Sequence, residues 1–342
     1  MGKKLFDYVI GNPPYQEETK DTSDKPVYHT FMDAAYEVGE KVELITPARF
    51  LFNAGKTPKS WNEKMLHDPH LKVLSYEQDS GKVFNGTDIK GGVAITYRDA
   101  NHNFGIIEVF THFEALRTIK DKVIRTRTLC LDSWVYAPES YKLTDKLHAD
   151  FPNVEKLLSK GHKYDVTTNI FEKLCGIVFF DEPKSNAYVG LYGLQKTVRC
   201  TKYIKSDYIK TPDNFMKWKV FLPKANGSGA IGEVLSTPVI GQPVIGHTQS
   251  FISIGSLDSE YEAKALLKYI KTRFARTMLG ILKITQDNKK SVWKYVPIQD
   301  FTSTSDIDWT KSTHDIDLQL YRKYGLDETE IEFIETHVKE MA

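Results

Sequence analysis

Asn12, Pro13, Pro14 and Tyr15 directly follow the apolar run at residues 5–10, and these residue types could handle an aromatic exocyclic amine. Such an amine, as in adenine, is a poor nucleophile because its lone pair is conjugated into the ring. A site that accepts both N–H hydrogens draws the nitrogen toward tetrahedral geometry without a strong base. The Asn12 side-chain oxygen and the Pro13 carbonyl are two such acceptors. The prolines fix φ and stiffen the loop, and Pro13 pushes Asn12 out of the helical region. Tyr15 adds a flat face on which an extruded base can stack. The same residues also fit a strand followed by a plain Pro-Pro turn.

The elements that would position this loop alternate between strand and helix patterns. A polar stretch at 16–25 would lie over the site. Residues 27–38 place Val27, Phe31, Ala34, Ala35 and Val38 at helical spacing. A short strand is expected at 42–47, a short helical stretch at 48–52 and a helix at 61–66 that stops before Asp68-Pro69. The runs 71–76 and 92–97 read as internal strands, and 105–110 as a further strand. This rhythm suits an α/β sheet with covering helices.

FDYVIGNPPY resembles the catalytic motif of the S-adenosylmethionine-dependent amino-methyltransferases, above all the DNA adenine-N6 enzymes of restriction-modification systems. The same tetrapeptide occurs in relatives that methylate a protein glutamine or an RNA amine. The order of elements after the motif is also similar: a helix, an ITP-type strand, then a hairpin bearing an aromatic before a GGVAIT-type strand. The resemblance implies catalytic roles for Asn12, Pro13, Pro14 and Tyr15. It places Phe84 opposite Tyr15 as a second base-stacking ring; a loop phenylalanine in the core is the alternative. TRFARTMLGILKITQDN, VWKYVPIQDF and the tail LYRKYGLDETEIEFIETHVKEM look like the C-terminal region of type IIG-like methylases.

The family carries a glycine-rich turn and an acidic residue for the methyl donor ahead of NPPY, whereas eleven residues precede Asn12 here. Gly227-Ser228-Gly229-Ala230-Ile231-Gly232 matches GxGxxG, but the stretch after it, with Pro238 and Pro243, cannot form the required helix. The expectation is therefore a sheet whose NPPY strand has an uncovered edge open to another chain. The chain alone would bind S-adenosylmethionine weakly or not at all, and a complementing subunit would carry the donor-binding motif.

The 342 residues, 41% hydrophobic, suffice for two domains. A net charge of +1, from 46 basic and 45 acidic residues, neither supports nor excludes nucleic acid. Cys130, Cys175 and Cys200 lack metal-ligand spacing and read as reduced thiols of a cytoplasmic protein. No apolar run approaches the ~20 residues of a membrane span, so no membrane partner is expected.

From residue 126 onward, strand-like segments at 177–180, 188–194 and 218–223 alternate with Gly and Pro turns. Cations interleave with aromatics there, giving candidate contacts to double-stranded DNA at Lys196, Arg199, Lys202, Lys217, Lys219 and Lys224. Asn226 and the 227–232 loop would join that surface; solvated lysines on amphipathic strands are the alternative. Residues 259–282 form one long helix, striped with Ala263, Leu266, Leu267, Ile270, Phe274, Met278 and Ile281. Its other face carries Lys264, Lys268, Lys271, Arg273 and Arg276, for phosphates or for water. A loop at 286–290 and a strand at 293–297 would come next. A helical hairpin would close the chain, with Gly325 as C-cap and Asp327 as N-cap. Neither Pro212-Asp213 nor Asp181-Glu182-Pro183-Lys184 completes a nuclease motif.

The fold expected is α/β: a partial Rossmann-like methyltransferase sheet in 1–125, then a mixed α+β target-recognition domain in 126–342. The activity expected by resemblance is adenine-N6 methylation of DNA. The alternatives are a catalytically inactive DNA-recognition module and, more weakly, an RNA or protein-glutamine methyltransferase.

Overall fold

Valine, isoleucine and aromatic residues of the first hundred positions build a four-stranded sheet, in a computed structural model describing residues 4–17, 25–111, 113–126, 128–227 and 230–341. The chain divides into two units, Met1–His112 and Phe113–Ala342. The division falls earlier than 125/126 because the helix Glu114–Arg125 packs with the second unit, where Lys122 pairs with Glu330 at 2.6 Å. The architecture is mixed α/β with several separate sheets.

In the first unit the strands are β1 (Phe6–Gly11), β2 (Gly39–Pro47), β3 (Leu71–Glu77) and β4 (Val93–Asp99), with helices α1 (Tyr28–Val38) and α2 (Lys59–Leu66). Their order is β1-β2-β4-β3. β1 runs parallel to β2, with Tyr8 opposite Lys41 and Ile10 opposite Glu43. β4 is antiparallel to both β2 and β3. β2 alternates Val42, Leu44 and Thr46 into the core, the period of two that a half-buried strand requires. β1 ends the sheet. Its Phe6, Tyr8 and Ile10, which share one face by alternation, stand 57%, 61% and 75% exposed.

Three expectations about these elements need correction. α1 buries Tyr28, Met32 and Tyr36, while Phe31 is 45% exposed. The tyrosines, treated as polar in the pattern, supply the buried i, i+4 stripe. β3 is an edge strand and not an internal one. Residues 105–110 form no strand: Glu108 takes a left-handed φ of 54°, and Ile107 and Phe110 instead pack onto the core.

The second unit holds β5 (Tyr188–Gln195) and β6 (Val198–Lys205), antiparallel, with β5 also pairing parallel to β9 (Ile245–His247). A second sheet joins β7 (Trp218–Pro223), β8 (Val239–Gly241) and β10 (Phe251–Leu257). The run 177–180 contributes only isolated bridges, Cys175–Phe179 and Phe180–Tyr203. Residues 293–297 are not a strand; Trp293 ends a short 3-10 turn and is buried with Tyr295.

The long helix expected at 259–282 is two helices, Glu260–Lys271 and Arg273–Gly280. Thr272 breaks them with extended backbone, its hydroxyl donating to the Tyr269 carbonyl (2.6 Å) and accepting from Ala275 N (3.1 Å). Buried Asp317 satisfies the newly exposed amides of Arg273 and Phe274 at 3.0 and 2.8 Å. At the end of the chain, Gly325 (φ 62°) stops the helix Thr313–Tyr324, and Asp327 forms a capping box with Glu330 on Glu328–His337. Among the described residues no helix is long and apolar enough to cross a membrane.

Candidate active site

Beyond Gly11 the chain leaves the sheet at Asn12 and returns toward α1, with Val27 N donating to the Tyr15 carbonyl at 3.1 Å. Gln16–Glu17 pairs antiparallel with Lys25–Pro26. Residues 18–24 of the expected polar loop lie outside the described residues. This path brings Asn12 and Tyr15 to the wall of a cleft of about 550 Å³, together with Tyr28, Arg49, Thr57 and Phe84. Asn12 is exposed, and among the described residues no hydrogen bond engages its side-chain amide. Pro13 is half-buried and Pro14 exposed, in the loop between the two lining residues.

Tyr15 packs its ring against the core of the first unit, and its hydroxyl is enclosed with no partner among the described residues. Burial pushes that phenol up from its ordinary value, so it stays neutral. Phe84 meets Tyr15 edge-on, with centroids 6.3 Å apart and planes at 67°. The two rings therefore share the cleft but are not parallel plates; a flat base between them requires one ring to turn.

Phe84 is carried by the loop joining β3 to β4, and Ser80 ties that loop together. The Ser80 hydroxyl accepts from Ile89 N (2.8 Å) and donates to the Thr87 carbonyl (3.2 Å), while Phe84 N donates to the Ser80 carbonyl (2.8 Å). The lining also includes Thr57, whose hydroxyl donates to Asn62 Oδ1 at 2.7 Å. Burial holds the Tyr28 phenol up at about 12. Among the described lining residues the one carboxylate is Asp88, paired with Lys90 at 2.7 Å. The cleft thus offers hydrogen-bond acceptors and rings, with no buried acid or histidine among its described lining residues to act as a base.

The six cations expected at DNA lie in the second unit, and they divide. Lys202 is 4% exposed and bound to Asp181. Lys219 is fully buried, donating to the carbonyls of Asn214, Phe215 and Lys217 at 3.0, 2.9 and 2.7 Å. Neither can reach a phosphate. Arg199 donates to the Thr237 carbonyl at 2.6 Å, and Lys217 pairs with Asp258. Lys196 and Lys224 are exposed with no side-chain partner among the described residues. Asn226 is buried, accepting from Asn288 Nδ2 (2.6 Å) and donating to the Val234 carbonyl (3.2 Å), so it holds a turn and faces no ligand. Ser228 and Gly229 lie outside the described residues.

The basic helix face is solvated only in part: Lys264, paired with Glu260 at 2.8 Å, lies at the surface. Lys268 donates to the carbonyls of Trp309, Thr310 and Lys311. Arg273 pairs with Glu335, and Arg276, 2% exposed, binds the Lys271 and Gly232 carbonyls at 3.0 Å each. Pattern reading missed these roles because a long cation on a polar stripe looks the same whether it meets water or a carbonyl. It also missed Arg49, Ser80 and Thr57, which belong to no apolar period.

Residues 1–84 match the Eco57I restriction-modification methylase family. A protein of Mycoplasma pneumoniae described as an uncharacterised adenine-specific methylase is 30% identical over 98 residues, covering 27% of this chain and 23% of that protein. The type IIG restriction endonuclease BpuSI aligns over 97% of this chain and 53% of its own at a TM-score of 0.38 and 10% identity. The type IIL restriction-modification enzyme MmeI, in complex with DNA, aligns over 96% and 56% at 0.38 and 9%. The chain spans about half the length of these two enzymes, and the alignments are too slight to carry an argument about function. The resemblance to restriction-modification adenine methylases read from the sequence is matched by these comparisons over the N-terminal quarter of the chain.

Proposed function

We propose that this chain, whose first 84 residues match a restriction-modification methylase family, supplies the adenine-binding and target-recognition parts of an adenine-N6 DNA methyltransferase. One observation carries the reading: Asn12, with its amide unengaged, and Tyr15 and Phe84 line a single cleft. Asn12 Oδ1 and the Pro13 carbonyl accept the two hydrogens of an extruded adenine's amine, and Tyr15 and Phe84 take its ring. Extrusion costs a few kcal/mol, which stacking at about 1–3 kcal/mol per base offsets in part. Lys196 and Lys224 remain as candidate phosphate contacts that orient the duplex.

The methyl donor of such enzymes is S-adenosylmethionine, which supplies an electrophilic methyl group. The described residues beside Asn12 do not fit it: β1 leaves a backbone edge unpaired among the described residues, and its Phe6, Tyr8 and Ile10 make an exposed apolar sheet face poor in groups for a nucleoside. We infer that a segment outside the described residues, or a complementing subunit, pairs with β1 and holds the donor. The same open strand favours, as the second reading, a recognition module that no longer methylates.

Deleting the coding sequence from its host tests the proposal. N6-methyladenine, read by single-molecule sequencing of genomic DNA, disappears from one sequence motif. An unchanged methylation pattern contradicts the proposal and leaves the recognition module.

A further inference from the structure

Arg49 lies at the turn out of β2, and its side chain runs between two loops of the candidate cleft. Gly55 and Gly91 close on its stem from either side, both in left-handed backbone with φ of 87° and 88°. A Cβ added at Gly55 would lie 3.1 Å from Arg49 Cδ, and one at Gly91 would lie 2.8 Å from Arg49 Cγ. Any other residue would strain the backbone and crowd the stem. Arg49 Nε donates to the Lys90 carbonyl, which fixes the plane of the guanidinium. Among the described residues its two Nη groups have no partner.

A guanidinium held in this way is a fork without its acceptor. Among the described lining residues the single carboxylate, Asp88, is already engaged by Lys90, which leaves none for the Arg49 fork. A guanidinium with unsatisfied Nη groups in a half-buried cleft is unfavourable until an anion enters. A free adenine or a protein glutamine amide is neutral and leaves the fork unused. A phosphodiester presents two non-bridging oxygens at the spacing of the two Nη groups.

We propose that Arg49 binds a backbone phosphate flanking the extruded adenosine, so that the cleft selects an adenine carried on a nucleic-acid strand over the free base or a peptide amide. This inference rests on the reading of the cleft as a base site. Arg49 is then a substrate-binding residue, and the glycine clasp is what keeps its fork aimed into the cleft in the absence of substrate.

The test uses the full chain and short fluorescent single strands, where extrusion is cheapest. Strands with a central adenosine are compared with strands carrying an abasic site there, and with strands bearing one neutral methylphosphonate on its 5′ or 3′ side. Binding is read by anisotropy. The expected result is about tenfold weaker binding for one of the two methylphosphonates, and for Arg49→Gln with the natural strand, with no further loss when the two changes are combined. Arg49→Lys, which keeps the stem and the charge but not the fork, falls between. Equal binding of both methylphosphonates by the unaltered chain, or losses that add in Arg49→Gln, overturns the phosphate contact while the base site stands. If the abasic strand binds as well as the adenosine strand, the base site itself fails and the inference goes with it.

Discussion

Lys219 has every hydrogen of its ammonium taken by a main-chain carbonyl, at 2.7 to 3.0 Å, with no surface exposed. Burial pushes its amine down to about 7, although the three carbonyls oppose that shift by favouring the charged form. In an unfolded chain the amine titrates near ~10.4. Between those values the unfolded chain binds the proton that the folded chain has released, so stability rises with pH across that window and is least below it. Lys219→Met flattens this rise and leaves three carbonyls unsatisfied, costing about 1–3 kcal/mol with DNA affinity unchanged for the folded protein. Lys224→Ala is expected to do the reverse, weakening DNA binding uniformly and lowering the salt slope by about one. Melting curves from pH 6 to 10 and anisotropy titrations at two salt concentrations check the pair. At this scale the sequence carried the NPPY loop, because proline and asparagine act locally. It did not separate a buried lysine from an exposed one, because the acceptors of Lys219 come from the 3-10 turn Asp213–Met216 and its end.

The loop between β3 and β4 depends on Gly92, which has a φ of 74° and accepts from Ala48 N at 2.9 Å. A side chain there would collide with the Glu77 carbonyl and sit 2.8 Å from Gln78 Cα. Gly92→Ala is expected to destabilise the first unit by at least about 2 kcal/mol and to release Phe84 from the cleft. Chemical denaturation followed by tyrosine and tryptophan fluorescence reads the first effect. Protease nicking between residues 80 and 92 reads the second. The elements of this unit were legible where their signals were local: β1, β2 and α2 all match short patterns, as do the Gly325 and Asp327 caps of the second unit. The 259–282 helix was misread because its break at Thr272 is set by Asp317, distant in sequence. The stretch 105–110 was misread because an apolar run packs onto a core equally well without strand pairing.

For the whole molecule, the open strand is the feature with the widest consequence. Among the described residues β1 pairs on one side only, and Phe6, Tyr8 and Ile10 are exposed on one face, with Leu5 exposed ahead of them. That much apolar surface on an unpaired strand marks a place where another segment docks. Ile10→Lys is expected to leave the melting temperature of the chain nearly unchanged, because Ile10 is already exposed. In the host it should lower N6-methyladenine sharply by blocking the completing segment. Full methylation with Ile10→Lys would argue that nothing docks on this strand. The uncovered edge was an expectation drawn from the resemblance; the apolar residues of the strand by themselves do not say what covers it.

The proposed adenine methylation turns on the unengaged amide of Asn12 and the rings of Tyr15 and Phe84 in one cleft, with the Pro13 carbonyl in the loop between Asn12 and Tyr15. The most direct test returns the Asn12→Ala allele to a host lacking the chain and measures two quantities: the N6-methyladenine fraction at the affected motif, and the affinity of the purified variant for DNA. The expected outcome is methylation lost by about a hundredfold or more, with affinity intact. Methylation restored to its original level by Asn12→Ala would contradict the assignment.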